Sequence, residues 1–506
     1  MKINSLEQDN EKIPIKLSDN NDANTYEIFS QKKPKKRYIT KKNITFTFVV
    51  IIIFIMIYLA DNNKTIEELN NKLEQLESKI KQMDKEVIKK KIGIAFVNPH
   101  IYGNGIGRLL TILSELLMKT ERYDVYLINE QTTQLDFKYH KKVKREIQNK
   151  DEQVIRDFDE ANDIQIYVLN NDVSNTVDLY QSLGKKVIGI FHGVYLSCVF
   201  NADPLIYRSW YLFKKFDSFV HIIPDDYWIY KKFGFNNTIY IPNLYTFDHT
   251  KTPSSNLTYK NVLMVGRVDD TIKGGIYGIL AMKEILKEIP DSKLTIVAPN
   301  HPKELIDLVK QLNMENNVQW IGFTKNISEF YLNSSVLLVT SVSESFPMVM
   351  NEGKAHGLPI VSFNVDYSPS FQEGVITVEM FNYSSMAKEA IKLLNNYEYR
   401  KNKAKEAKLS LNMYNNNDTI IMWEKLINSL INGTEDYKKL QEEVEKKYYN
   451  ETLAKEHIEK HFKYGQQFNK RFACHTFENF TTLSYIKDID DCIKENKTNT
   501  NNTSET

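Results

Sequence analysis

Cysteine is almost missing from this chain, with three in 506 residues: Cys198, Cys474 and Cys492. Three thiols cannot build a disulfide framework, and no Cys-x-x-Cys pair or Cys/His cluster has zinc spacing. A surplus of one charge is missing too, with 66 Lys and Arg against 65 Asp and Glu. A net charge of +1 excludes a dedicated nucleic-acid binder, which needs surplus cations to neutralise phosphates, so no nucleic-acid partner is expected. Eighteen Gly and thirteen Pro are too few for a collagen-like or Gly/Ser-linker protein. What is present is 42% hydrophobic and 26% charged, enough for about two to four domains with a full core.

One long apolar run stands out, the seventeen charge-free residues from Ile44 to Ala60 (ITFTFVVIIIFIMIYLA). As a helix it spans about 25 Å, slightly short of a ~30 Å hydrocarbon core, and Lys41 and Lys42 can snorkel at one end. A buried core helix would not carry such dense flanking charge. A cleaved signal peptide would be shorter and end on a small-x-small site, which Tyr58-Leu59-Ala60 matches poorly. The run therefore predicts an uncleaved transmembrane helix at 44–60. Lys32, Lys33, Lys35, Lys36, Arg37, Lys41 and Lys42 precede it, whereas Asp61, Lys64, Glu67 and Glu68 follow. By the positive-inside rule residues 1–43, polar and disordered by composition, stay cytosolic and the rest crosses. The expectation is a type II single-pass protein with its body in the lumen of the Golgi or endoplasmic reticulum; the alternative is an anchored body facing the cytosol.

Ile66, Leu69, Leu73, Leu76, Ile80, Met83 and Val87 then recur in a 3-4-3-4-3-4 rhythm. This a/d seam predicts a short coiled-coil stalk over 61–90 and a homodimer through 66–87, against the alternative of an amphipathic helix lying on its own domain.

From Lys91 short apolar runs alternate with amphipathic stretches. IGIAFV (92–97), VYLIN (125–129), IQIYVLN (164–170), KVIGIF (186–191), SFVHII (218–223) and TIYIPN (238–243) read as one set of strands. NVLMVG (261–266), KLTIVA (293–298), VQWIG (318–322), VLLVT (336–340) and PIVSF (359–363) read as a second. This predicts α/β architecture: two doubly wound Rossmann-like domains, 91–245 and 246–432, facing a cleft, with the polar stretch 244–260 as hinge. Residues 383–432 read as helices, and 433–506 as a helical extension with a disordered tail. In such sheets ligands bind beyond the carboxyl ends of the strands, so the loops that follow them carry the chemistry.

The first such loop is Gly103-Asn-Gly105-Ile-Gly107-Arg108, opening a helix. Gly105 lets backbone approach an anion at the helix start, but Arg108 occupies the place where a dinucleotide fingerprint needs glycine. His192 follows KVIGIF directly. Arg267 follows NVLMVG, and Lys273-Gly274-Gly275 opens the next helix; the two cations can converge on a diphosphate, or form a surface salt bridge with Asp269 or Asp270. The strongest pattern is Ser343-Glu-Ser-Phe-Pro347 through Glu352 to Gly357-Leu-Pro359. Glu344 lies in the loop after a strand, Pro347 suits a first helical position, Glu352 lies a turn and a half on, and Gly357 and Pro359 stop the helix. His356, in the last turn, reads as a complement to the helix dipole rather than a site residue.

These residues resemble the retaining, nucleotide-sugar-dependent glycosyltransferases of the GT-B fold, the glycosyl transferases group 1 (family 4) class. The likeness is good over 261–390, where Gly-Arg…Lys-Gly and Glu344…Glu352 fall in the family's order, and weaker over 91–245. It implies that Arg267 and Lys273 hold the donor diphosphate, Glu352 the ribose, and Glu344 the donor sugar's hydroxyls. Ser345 and Phe346 would offer backbone N–H groups, Gly105 would let the first domain close on the phosphates, and His192 would contact the sugar near the reacting carbon. His192 and Glu344 are thus the implied catalytic pair. Gly353 and Lys354 depart from the family's small apolar residues.

The activity implied is transfer of a hexose from a nucleotide-diphosphate sugar to a glycan, glycoprotein or glycolipid acceptor, with retained configuration. No metal or other cofactor is expected, because the protein supplies the cations. The alternative from another class is a catalytically silent GT-B-like sugar-binding or scaffolding subunit.

Overall fold

The computed structural model describes residues 74–77 and 91–448, apart from 102–103, 134–135, 149–150, 171–175, 194–211, 233, 269–272, 343, 366–372, 414 and 435. The chain divides into Met1–Ile88 and Lys89–Thr506. Of the former only a helical turn at 74–77 is described, so the apolar run 44–60 and nearly all of the heptad seam lie outside the described residues. So do Cys474, Cys492 and the tail beyond 448. Among the described residues no helix is long and apolar enough to cross a membrane.

The larger unit holds two parallel sheets. The first contains β1 (Ile92–Val97), β2 (Tyr123–Asn129), β3 (Lys144–Ile147), β4 (Ile166–Asn170), β5 (Lys186–Phe191), β6 (Ser218–His221) and β7 (Thr238–Tyr240), in the order 3-2-1-4-5-6-7. The second contains β8 (Asn261–Val265), β9 (Lys293–Val297), β10 (Val318–Ile321), β11 (Val336–Val339), β12 (Ile360–Phe363) and β13 (Val375–Val378), in the order 10-9-8-11-12-13. Strand order reverses between β1 and β4, where Val97 pairs with Leu169, and between β8 and β11, where Leu263 pairs with Leu337. Central strands are buried on both faces, as Ile166–Leu169 and Val336–Val339 are, which is why they read as unbroken apolar runs.

Helices of the first domain are α1 (Gly105–Lys119), α2 (Glu152–Ala161), α3 (Thr176–Ser182) and α4 (Pro224–Lys232). Those that follow are α5 (Gly275–Glu288), α6 (Lys303–Gln311), α7 (Ile327–Leu332), α8 (Met348–Ala355), α9 (Tyr383–Asn395), α10 (Tyr397–Ser410), α11 (Asn416–Asn432) and α12 (Asp436–Tyr448). α1 forms because Leu109, Leu110, Leu113 and Leu117 bury one face and Asn104 caps its start, accepting from Gly107 N at 2.7 Å. Gly107 has to be glycine: a Cβ there would lie 2.6 Å from the Ile101 carbonyl carbon.

Every predicted strand is present with its ends moved by up to three residues: TIYIPN is a strand only over 238–240, and β2 begins two residues before VYLIN. Two edge strands went unpredicted, β3 (KREI) and β13 (VITV), each paired on one side only and neither with a buried face. KREI carries charge and lacks the apolar face that makes a strand legible, whereas VITV has the β-branched composition of a strand but no buried face. The connector 244–260 contains no helix or strand. It is pinned: Tyr245 N donates to Asn416 Oδ1 at 2.7 Å, Asn416 Nδ2 returns to Tyr245 O at 2.9 Å, and the buried Arg400 holds Leu257 O. α11 then crosses back to the first domain, where Arg122 ion-pairs with Glu424 at 2.6 Å. α12 follows it there, with Tyr227 and Lys231 of α4 both on Glu445.

Candidate active site

The predicted residues lie in loops that follow strands or in the helices those loops open, and contacts between the two domains bring several of them together. On the second-domain wall, Arg267 follows β8 and is exposed. Thr340, following β11, donates through Oγ1 to Lys273 O at 2.8 Å, which ties the two loops together. Gly274 caps α5 in the left-handed region (φ 61°), and a Cβ there would lie 2.5 Å from Thr340 O, so only glycine turns the chain this tightly. The Lys273 ammonium ion-pairs with Glu344. Asp269 and Asp270, the alternative salt-bridge partners of the two cations, lie outside the described residues.

Phe346 is buried, its ring 6.4 Å from that of Tyr245. Pro347 is the cap of α8 rather than its first residue, and no side chain caps either α8 or α5. The first-turn N–H groups of both helices therefore lack the side-chain oxygen that usually takes them, and they carry the positive end of each dipole.

Glu352 is buried in α8 and accepts from the Tyr331 hydroxyl of α7 at 2.9 Å. Burial pushes its carboxyl above the usual range, while the charge of Arg108 and the hydrogen bond from Tyr331 pull it back. Burial, then the Glu352 charge, push the Tyr331 phenol well up. Glu352 thus has its acceptor capacity held in place before any ligand arrives.

The first-domain wall meets this one directly. A Cβ on Gly105 would touch Met348 Cγ at 3.5 Å, which sets the start of α1 against the start of α8. Ser345 Oγ donates to the His192 carbonyl at 2.5 Å. The His192 Nε2 lies 2.9 Å from Asn170 Oδ1, and burial pushes the imidazole down to about 3. Further out, Phe137 of the first domain packs edge-on against Phe323 of the second at 5.6 Å, with the Arg108 guanidinium over the Phe137 ring at 5.2 Å.

The structure therefore brings Lys273 to Glu344, Ser345 to His192 and Gly105 to the head of α8, with Glu352 buried behind them. Three neighbours escaped the sequence reading. Arg108 was noted only as the residue that breaks a dinucleotide fingerprint, Asn170 only as a strand's last letter, and Tyr331 sits in a short helix with no motif around it. His356 is corrected. It is not a cation complementing the dipole but a buried ring stacked on Tyr331 at 4.9 Å, bonded to Glu352 O (2.7 Å) and Ser328 Oγ (3.0 Å). Burial pushes its imidazole down, so it stays neutral and structural. The departures have physical accounts: a Cβ on Gly353 would sit 2.5 Å from Leu337 Cδ2, and Lys354 reaches the Glu373 carbonyl at 2.8 Å.

Two facing Rossmann-like parallel-sheet domains with a site between their strand ends constitute the GT-B arrangement. Residues 247–410, most of the second domain, match the family model described as Glycosyl transferases group 1. An uncharacterized glycosyltransferase of Haemophilus influenzae is 31% identical over 202 residues, 39% of this chain and 57% of that protein. The chain thus spans little more than half the length of that relative. Among solved structures, sucrose-phosphate synthase from Thermosynechococcus elongatus superposes with a TM-score of 0.58 at 14% identity, over 68% of this chain and all of that one. Anabaena HepE, in complex with UDP and glucose, does so at 0.54 and 14%, with the same coverage. At such identity these two bear on the fold.

Proposed function

We propose that the protein is a membrane-anchored, retaining glycosyltransferase that moves a hexose from a nucleotide-diphosphate sugar to a glycan, protein or lipid acceptor. One observation carries this reading: loops of both domains meet where Ser345 holds the His192 carbonyl and Gly105 lies against Met348, next in sequence to the Lys273–Glu344 pair and at the head of the helix that buries Glu352.

The donor diphosphate would take Arg267 and Lys273 together with first-turn N–H groups of α5 and α8. As Lys273 turns to phosphate, the Glu344 carboxylate becomes available to the sugar's hydroxyls. Glu352, held by Tyr331, accepts from the ribose, and His192 lies against the sugar near the anomeric carbon. Breaking the anomeric C–O bond builds positive charge on the sugar and negative charge on the departing diphosphate. Arg267 and the helix dipoles would stabilise the latter, joined by Lys273 once it has turned from Glu344 to the phosphate, and such electrostatic stabilisation is the larger share of this kind of catalysis. The protein supplies these cations itself, so the reading includes no resident metal.

The run 44–60 would anchor the chain as a type II protein, the seam 66–87 would pair two copies, and the cleft would face a secretory lumen supplied with donor. Protease protection of the body in sealed vesicles tests the topology; digestion from outside refutes it. A nucleotide-release panel on the full chain in detergent, headed by UDP-sugars because HepE contains UDP, tests the activity. Arg267→Ala and Glu344→Gln should each cut turnover at least about 10²-fold. Near-normal transfer by both would refute the assigned roles.

A further inference from the structure

His192 has received a role, but the residue that holds its ring has not. Asn170 ends β4 and is buried, in register with Ile190 of the neighbouring β5, two residues before His192. Its side chain reaches both neighbours of β4. Nδ2 lies 3.2 Å from the Val97 carbonyl at the end of β1 and 3.5 Å from the Val168 carbonyl, while Oδ1 lies 2.9 Å from His192 Nε2. These contacts leave one sensible orientation for the amide. Turned over, Oδ1 would face two carbonyl oxygens, so Nδ2 donates to them and Oδ1 accepts. His192 Nε2 must then carry the proton, and Nδ1 carries the lone pair. The Ser345 hydroxyl holds the His192 carbonyl from the opposite wall. Backbone and ring are thus fixed from different domains.

We propose that Asn170 is the positioning residue of the transfer reaction, fixing His192 as the neutral Nε2–H tautomer and turning an acceptor nitrogen, not a cation, toward the reacting sugar. The role in transfer rests on the glycosyltransferase reading above; the tautomer does not. A neutral imidazole suits a site where positive charge develops on the sugar, since an imidazolium beside that carbon would oppose it. The low imidazole pKa, caused by burial, agrees with this state. Asn suits the task better than Asp. A carboxylate would accept the same proton but draw a second one onto the ring, and it could not donate to the Val97 carbonyl.

The test uses the full chain in detergent with ¹⁵N-labelled histidine, the His192 signal being assigned by its loss in His192→Gln. Long-range ¹H–¹⁵N spectra at neutral pH should show wild-type His192 as the Nε2–H tautomer. Asn170→Ala should turn it into a mixture, and Asn170→Asp into an imidazolium. An Nδ1–H or charged ring in the wild type, or an unchanged tautomer in Asn170→Ala, overturns the proposal. On whichever UDP- or GDP-sugar the wild type hydrolyses, Asn170→Asp should lower kcat about 10²-fold with donor KM within about twofold. A fall carried by KM alone overturns the role in transfer. Absence of turnover by the wild type on every donor would sink the glycosyltransferase reading, while the spectra still decide the tautomer.

Discussion

His221 offers a quantitative test of the first domain's core. It ends β6 fully buried, with neither ring nitrogen hydrogen-bonded among the described residues, and its ring packs on Phe219 (4.8 Å) and Tyr230 (4.6 Å). Burial pushes its imidazole from 6.5 down to about 3. Because the folded value is lowered, folding favours the neutral ring. The stability this confers is complete above pH 6.5 and is lost as pH falls from 6.5 toward 3, since only the unfolded chain takes up the proton. At pH 5 the unfolded state gains about 1.5 pH units of protonation, or ~2 kcal/mol, and near pH 3 the loss reaches ~5 kcal/mol. Carboxylates titrate over the same range, so the comparison must be with His221→Leu, which keeps the site apolar. Denaturant unfolding of the first domain at pH 7.5 and 5.0, followed by near-ultraviolet circular dichroism, should show the wild type losing ~2 kcal/mol more than the variant. Equal losses would mean that the ring finds a proton partner or water in the fold, and the burial argument fails.

Gly274→Ala should cost at least ~2 kcal/mol in thermal unfolding, from the left-handed backbone and the Thr340 carbonyl together; a change within experimental error would show that the turn can relax. Tyr331→Phe removes a charge-assisted bond to Glu352 worth ~1.5–3 kcal/mol and should raise donor KM more than it lowers kcat, by steady-state kinetics. Burial pushes Lys354 down to about 7, so folding disfavours its charged form between pH 7 and the unfolded value near 10. Wild-type stability should therefore rise by ~2 kcal/mol from pH 7 to 9, whereas Lys354→Met should be nearly flat.

Much of the fold could be read from the chain because buried parallel strands leave unbroken apolar runs, and the loops that follow them inherit their position. Arg267, Lys273 and Glu344 were legible for that reason, each following a strand or leading into the next helix, and Glu352 by its spacing from Glu344 in the family's pattern. What remained hidden depends on packing across elements. Asn170 owes its importance to the neighbours β1 and β5, 73 and 22 residues away. Tyr331 matters only because α7 lies against α8. His356 misled because helix position suggests a cation, while the aromatic ring stacked on it and full burial dictate a neutral one. β3 was invisible because KREI is charged and has no apolar face; β13 was not, since VITV has the β-branched composition of a strand.

The paired bonds between Tyr245 and Asn416 mark the only two places, among the described residues, where the main chain passes from one domain to the other. Both passages are thus riveted at a single spot. Two leaves joined by one pin can swing, but they can neither slide along each other nor twist freely, so any gape of the walls should run about an axis through that rivet. Opening would then separate contacts between the domains such as that of Phe137 with Phe323. Small-angle scattering of Asn416→Ala should report a wider spread of dimensions than the wild type; identical profiles would locate the pivot elsewhere.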